Sequence, residues 1–154
     1  MTFEEAVSRH SALIAKICYY FSDNPEDFKD LRQETLLNLW HGWTQFRGEA
    51  ARPTWIYRVC FNSCVTFKRK NKRRPQIAID SVLDVAEEDS FTLEDYNELH
   101  TLIAQLSPEN KAILLMWLDE KSYEDIAHIT GLNRNAVATR LHRIKRYLVK
   151  LSQH

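Results

Sequence analysis

The stretch SYEDIAHITGLNRNAVATRLHRIKRYL, residues 122–148, decides the fold. Ser122, with Asp125 three positions on, reads as the N-cap of a short helix containing Ile126 and Ala127. Thr130-Gly131-Leu132 reads as a tight turn. Asn133 then caps a longer helix on which Val137, Leu141, Ile144 and Leu148 recur at helical spacing as one inward stripe. A short helix, a glycine-bearing turn and a longer basic helix make a helix-turn-helix, whose second helix suits a DNA major groove. With the stripe inward, Asn135, Thr139, His142 and Arg146 fall on the far side, with Arg143 on one edge. Asn can pair with an adenine edge, Arg with guanine, and Thr with a base or a phosphate. Arg134, Arg140 and Lys145 are better placed for phosphates. A plain helical hairpin with a solvated basic face is the competing reading of the same residues.

Working outward, the rest of the chain reads as helix too. Ser107-Pro108 caps a helix through Ala112, Ile113, Met116 and Trp117. Before it, a helix from Thr92 turns Leu93, Tyr96, Leu99, Leu102 and Ile103 inward. At the other end, Thr2 and Glu5 form a capping box, followed by Phe3, Ala6, Val7, His10, Leu13, Ile14 and Ile17 at helical spacing. Asn24 caps a second helix with Pro25 as its first residue. Phe28, Leu31, Thr35, Leu36, Leu39 and Trp43 line its buried side, and Asp30, Gln33, Glu34, Leu37 and His41 the other. Leu37 is thus an apolar residue on a polar face, which hints at a partner surface, although single exposed leucines are ordinary. After a loop around Gly48, Pro53 or Thr54 opens a third helix through Trp55, Ile56, Val59, Cys60 and Val65. No strand pattern competes. The reading is an all-α chain of two small helical domains, residues 1–74 and 92–154, joined by an acidic linker at 75–91, the C-terminal domain being the helix-turn-helix.

The composition bounds the function. The 154 residues carry 21 basic and 21 acidic side chains, a net charge of zero, which argues against a uniformly basic nucleic-acid coat. The sum hides a pattern. Residues 1–75 are net +5, residues 76–107 net −8 with no basic residue, and residues 108–154 net +3. Lys68, Arg69, Lys70, Lys72, Arg73 and Arg74 place six positive charges in seven positions. Three glycines are too few for an all-β fold or for glycine-rich phosphate loops. The three cysteines, Cys18, Cys60 and Cys64, fit a reducing compartment, and their surroundings lack the further ligands a metal site needs. No run of about 18 apolar residues suggests a membrane span, and the acidic N-terminus does not resemble a signal peptide.

No catalytic constellation is present: no P-loop, no His-Glu-x-x-His, no Gly-x-Ser-x-Gly. A nuclease would need clustered carboxylates beside the basic helices, and none are placed there. On the third helix Trp55, Tyr57, Phe61 and Phe67 interleave with Arg58, Lys68, Arg69 and Lys70. Aromatic faces beside cations suit splayed single-stranded bases. The same aromatics also fit a helix core, and composition does not choose.

These segments together resemble the sigma-70 family, in its short extracytoplasmic-function (ECF) form. Asp30-Leu31-Arg32-Gln33-Glu34-Thr35-Leu36-Leu37-Asn38-Leu39-Trp40 resembles the family's core-polymerase-binding helix. Phe46-Arg47-Gly48-Glu49, then Thr54-Trp55-Ile56-Tyr57-Arg58-Val59 and Asn62, resemble its loop and promoter-melting helix. Leu106-Ser107-Pro108-Glu109 and the final helix-turn-helix resemble its second domain. The three motifs stand in the family's order.

The resemblance implies that Asp30, Gln33, Glu34 and Leu37 dock on the β′ clamp helices of core RNA polymerase. Arg47, Trp55, Arg58, Asn62, Lys68, Arg69 and Lys70 would then read and melt the −10 element. Arg134, Asn135, Thr139, Arg140, His142, Arg143 and Arg146 would read the −35 duplex, with the second domain also touching the β flap. It implies a cytoplasmic initiation factor with no catalysis and no cofactor, promoter DNA as its target, an anti-sigma factor as a further expected partner, and no membrane insertion. The acidic linker, with Asp80, Asp84, Glu87, Glu88 and Asp89, would thread the polymerase interior. Two positions depart from the family pattern. Arg52-Pro53 stands where an aromatic or other apolar residue is frequent, and Ala138 where lysine is common. The alternative is a free-standing helix-turn-helix regulator, which leaves the N-terminal aromatic and basic region unexplained.

Overall fold

In a computed structural model, residues 2–46, 52–70 and 93–153 are described, with side chains of the fourth helix described from Asn97 onward. These residues form seven helices and no strand: α1 (Phe3–Tyr20), α2 (Pro25–Trp43), α3 (Arg52–Lys70), α4 (Leu93–Ile103), α5 (Pro108–Leu118), α6 (Tyr123–Thr130) and α7 (Arg134–Ser152). The described residues are therefore all-α. The expected linker at 75–91, like Arg47, lies outside the described residues.

The caps act as their residue types dictate. Thr2 and Glu5 form the reciprocal box at the start of α1. Asn24, Ser107, Ser122 and Asn133 each accept a hydrogen bond from the backbone N–H three residues on. Helix α3 begins at Arg52, a residue or two earlier than expected. Pro53 is tolerated there because first-turn N–H groups have no intrahelical acceptor. Helix α6 ends at Gly131, whose φ of 83° makes the turn into α7. The end of α5 reaches a similar geometry without glycine. Glu120 adopts φ 62°. Its N–H bonds the Trp117 carbonyl and that of Lys121 bonds the Met116 carbonyl, a Schellman closure.

Helices α1–α3 pack as one unit and α4–α7 as another, and the two share a face. Helix α3 lies across α5 and α6. The buried residues of both units consequently join in a single apolar cluster. Helix α5 shows why. Ala112, Ile113, Leu114 and Met116 are all buried, so apolar side chains surround much of the helix. It packs on α7 within its own unit and on α3 of the other. The two units together thereby cover both apolar faces of α5.

Candidate polymerase and nucleic-acid interfaces

Helix α2 separates its faces as its pattern predicts. Phe28, Leu31, Thr35 and Leu39 are buried, whereas Asp30, Gln33, Glu34 and Leu37 are exposed together. Leu37 is 47% exposed and Trp40, one turn on, is 52% exposed. The Trp40 ring is held edge-on by Phe3 of α1, with centroids 5.0 Å apart. Trp40 was missing from the residues expected on this face. Its spacing of three from Leu37 is the signal that places it there.

Helix α3 divides its aromatics. Tyr57 and Phe61 are buried and stacked on one another, so they belong to the core. Trp55 stays partly exposed, in edge contact with Trp43 at 6.1 Å and tilted against Phe46 at 5.4 Å. The close approach explains Gly42: a Cβ there would sit 2.9 Å from Trp55 Cζ2. The Arg52 guanidinium lies 4.0 Å from the Trp43 ring centre and 4.2 Å from that of Phe46. An aromatic–guanidinium stack therefore stands at the start of α3. Asn62 is exposed, and with Glu34, Asn38, Thr66 and Lys70 it lines a cleft of about 430 Å³ between α2 and α3.

Three cations of α3 that sequence reading assigned to DNA are engaged within the protein. Arg58 Nη2 donates to the His128 carbonyl at 2.8 Å, Arg69 pairs with Glu109, and Lys68 pairs with Asp23. The first two bonds cross to the C-terminal unit. Tyr57 donates to Asp119 across the same boundary, and burial, reinforced by that carboxylate, raises its phenol far above the usual range. Asn62, Arg69, Glu109 and Arg140 share a second cleft, of about 320 Å³, between α3 and the helix-turn-helix. The structure thus brings expected −10 and −35 residues to one cleft.

On α7, Val137, Leu141 and Ile144 are buried. Asn135, Thr139, His142, Arg143 and Arg146 are exposed, and Arg140 partly so. Arg134 Nε donates to Glu124 at 2.6 Å. The Glu124 carboxyl is held below its ordinary value first by its own backbone N–H and then by Arg134. Lys145 lies 3.8 Å from the Trp117 ring centre, which fixes its stem against the helix-turn-helix. Cys18, Cys60 and Cys64 are buried, and burial pushes the Cys60 and Cys64 thiols up, so they act as small core residues. Among the described residues no group of three or more metal-ligating side chains forms, and no helix is long and apolar enough to cross a membrane.

A three-helix unit with an apolar patch on an acidic helix, joined to a helix-turn-helix with an exposed polar recognition face, defines a DNA-binding protein with a second macromolecular partner. Residues 6–74 match sigma-70 region 2 and residues 96–148 match sigma-70 region 4. The ECF RNA polymerase sigma factor SigM of Mycobacterium tuberculosis is 25% identical over 151 residues, covering 97% of this chain and 76% of the relative. RNA polymerase sigma factor SigV of Bacillus subtilis is 25% identical over 140 residues, covering 89% and 82%. The fold resembles that of the sigma factor RpoE from Bartonella quintana, solved with the anti-sigma factor NepR. The TM-score is 0.75 at 21% identity, covering 98% of this chain and 96% of that one. CnrH, solved with the cytosolic domain of CnrY, gives a TM-score of 0.71 at 21% identity over 98% of this chain and 87% of that one. The chain belongs to the sigma-70 family and is an RNA polymerase sigma factor of the ECF type.

Proposed function

We propose that the chain docks on core RNA polymerase through α2 and reads promoter DNA through α3 and α7. Residues 1–74 then serve as the polymerase-binding and −10 domain, and 92–154 as the −35 domain. The observation that carries this reading is the Leu37–Trp40 patch, two large apolar side chains exposed among Asp30, Gln33 and Glu34 on a helix whose other side is sealed. Such a patch fits a helical partner such as the β′ clamp, with aromatic and aliphatic anchors inside a polar rim.

On α7, Asn135, Thr139, His142, Arg143 and Arg146 face outward to read −35 base edges, while Arg134 and Arg140 contact phosphates. On α3, Trp55, Asn62, Arg69 and Lys70 face solvent or a cleft that would receive the opened −10 strand, Arg69 while paired with Glu109. Unstacking a base costs a few kcal/mol, to be offset by stacking and charge contacts. Arg58 joins only after it leaves the His128 carbonyl, so its engagement with the promoter and separation of the two units go together. RNA synthesis stays with the core enzyme, in the cytoplasm. The β flap is the expected contact of the C-terminal unit, and an anti-sigma factor, as in the RpoE–NepR complex, its expected inhibitor.

Gel filtration of the chain with core polymerase tests the docking face. The parent should co-elute and Leu37→Asp should co-elute less at the same concentration; co-elution of both at equal affinity would reject that face.

A further inference from the structure

The boundary between the two units is built on a corner that already carries charge. Where α1 ends and α2 begins, two backbone carbonyls receive side chains from the C-terminal unit. Lys111 Nζ donates to the Tyr20 carbonyl at 3.1 Å, and His100 Nε2 lies 2.6 Å from the Ser22 carbonyl. A carbonyl can only accept, so Nε2 carries a proton, and neutral His100 satisfies the contact in this tautomer. The imidazole is enclosed by the Tyr19 and Tyr20 rings, with centroids 5.0 and 6.2 Å away. Lys111 is 1% exposed.

The charged groups facing His100 are Asp23 of the corner, Lys68 of α3 and Lys111 of α5. Asp23 is already paired with Lys68. Lys111 brings a second cation to the same corner, and a protonated His100 would bring a third around a carboxylate that is taken. We propose that closure of the C-terminal unit onto the N-terminal unit is proton-linked through His100, so that acidification opens the chain and frees Arg58 and Arg69 of α3.

Burial lowers His100 below the ordinary histidine value, with Lys111 and Lys68 acting in the same direction and the Ser22 carbonyl and Asp23 opposing. The closed chain therefore holds fewer protons than the open one. Closure is favoured above the exposed-histidine value near 6.5 and weakens as the pH falls below it. Lys111, lowered by burial to about 8, stays outside a window that begins at pH 7.0.

Ala112 is buried on α5 and lines the cleft facing Phe61 and Asn62, so a thiol placed there reports opening even when the open form is rare. The full chain carrying Ala112→Cys is labelled with a maleimide at pH 7.0 and 5.5. Each rate is divided by that of an exposed Ser152→Cys control, and peptides are read by mass spectrometry. The normalised rate should rise by up to about eightfold at pH 5.5, the limit for one group titrating near 6.5 when exposed. Adding His100→Gln, whose amide can still donate to the Ser22 carbonyl, should abolish the rise. A flat or falling ratio, a rise that survives His100→Gln, or a rise accompanied by loss of helical circular dichroism overturns the proposal.

Discussion

Tyr57 of α3 donates its hydroxyl hydrogen bond to Asp119, the residue that caps the end of α5. The bond ties the helix expected to open promoter DNA to the helix that supports the DNA-reading motif. Tyr57→Phe keeps the ring packed on Phe61 and removes only the hydroxyl. It should lower stability by about 1 kcal/mol, measured by urea unfolding. The phenol is raised in the folded chain, so its contribution is full below about pH 10 and fades as the pH rises above it. At pH 11, before unfolding, tyrosinate absorbance of the parent and of Tyr57→Phe should be equal; a smaller signal in the variant would show that Tyr57 ionises normally.

Leu37→Asp and Trp40→Ala should each weaken binding to core polymerase by about 30-fold, as loss of an interface anchor worth about 2 kcal/mol does. Both positions are exposed, so the melting temperature of Leu37→Asp should stay close to that of the parent. Trp40→Ala also gives up the Phe3 ring contact and should lower it slightly. Calorimetric titration and thermal scans separate the two effects.

The legible parts of the chain are local ones. Thr2, Asn24, Ser107, Ser122 and Asn133 were readable as caps because capping involves residues three apart. The α7 stripe was readable because 3.6-residue periodicity survives without tertiary context. Tyr57 and Phe61 could not be assigned to core or DNA, since Tyr57's partner Asp119 lies 62 positions away. The engagement of Arg58 by the His128 carbonyl, across 70 positions, was hidden for the same reason. Glu120 gave no signal, because nothing about a glutamate announces a left-handed backbone.

Glu120→Gly should stabilise the chain by about 0.5–1 kcal/mol. Glycine relieves the strain at φ 62° while keeping the Schellman hydrogen bonds, which come from backbone atoms. Thermal unfolding reads the gain; an unchanged or lower midpoint would show that the strain is relieved elsewhere.

Asn135→Ala and Arg134→Ala should fail differently on duplex DNA. Loss of a bidentate base contact costs about 1–3 kcal/mol on the cognate −35 sequence and relaxes preference at one base pair. Loss of a phosphate contact weakens all sequences alike and flattens the salt dependence by about one unit. Competition binding across single-base variants of the site, at several salt concentrations, distinguishes them. The same pattern for both variants would remove the division of α7 into reading and anchoring residues.

Run-off transcription with core polymerase on genomic fragments reads promoter-directed initiation itself. The purified chain should direct initiation at discrete start sites that share upstream −35 and −10 elements, and Leu37→Asp should reduce those transcripts. Core polymerase that initiates no differently with the chain than without it would contradict the assignment of α2, α3 and α7 to promoter-directed initiation.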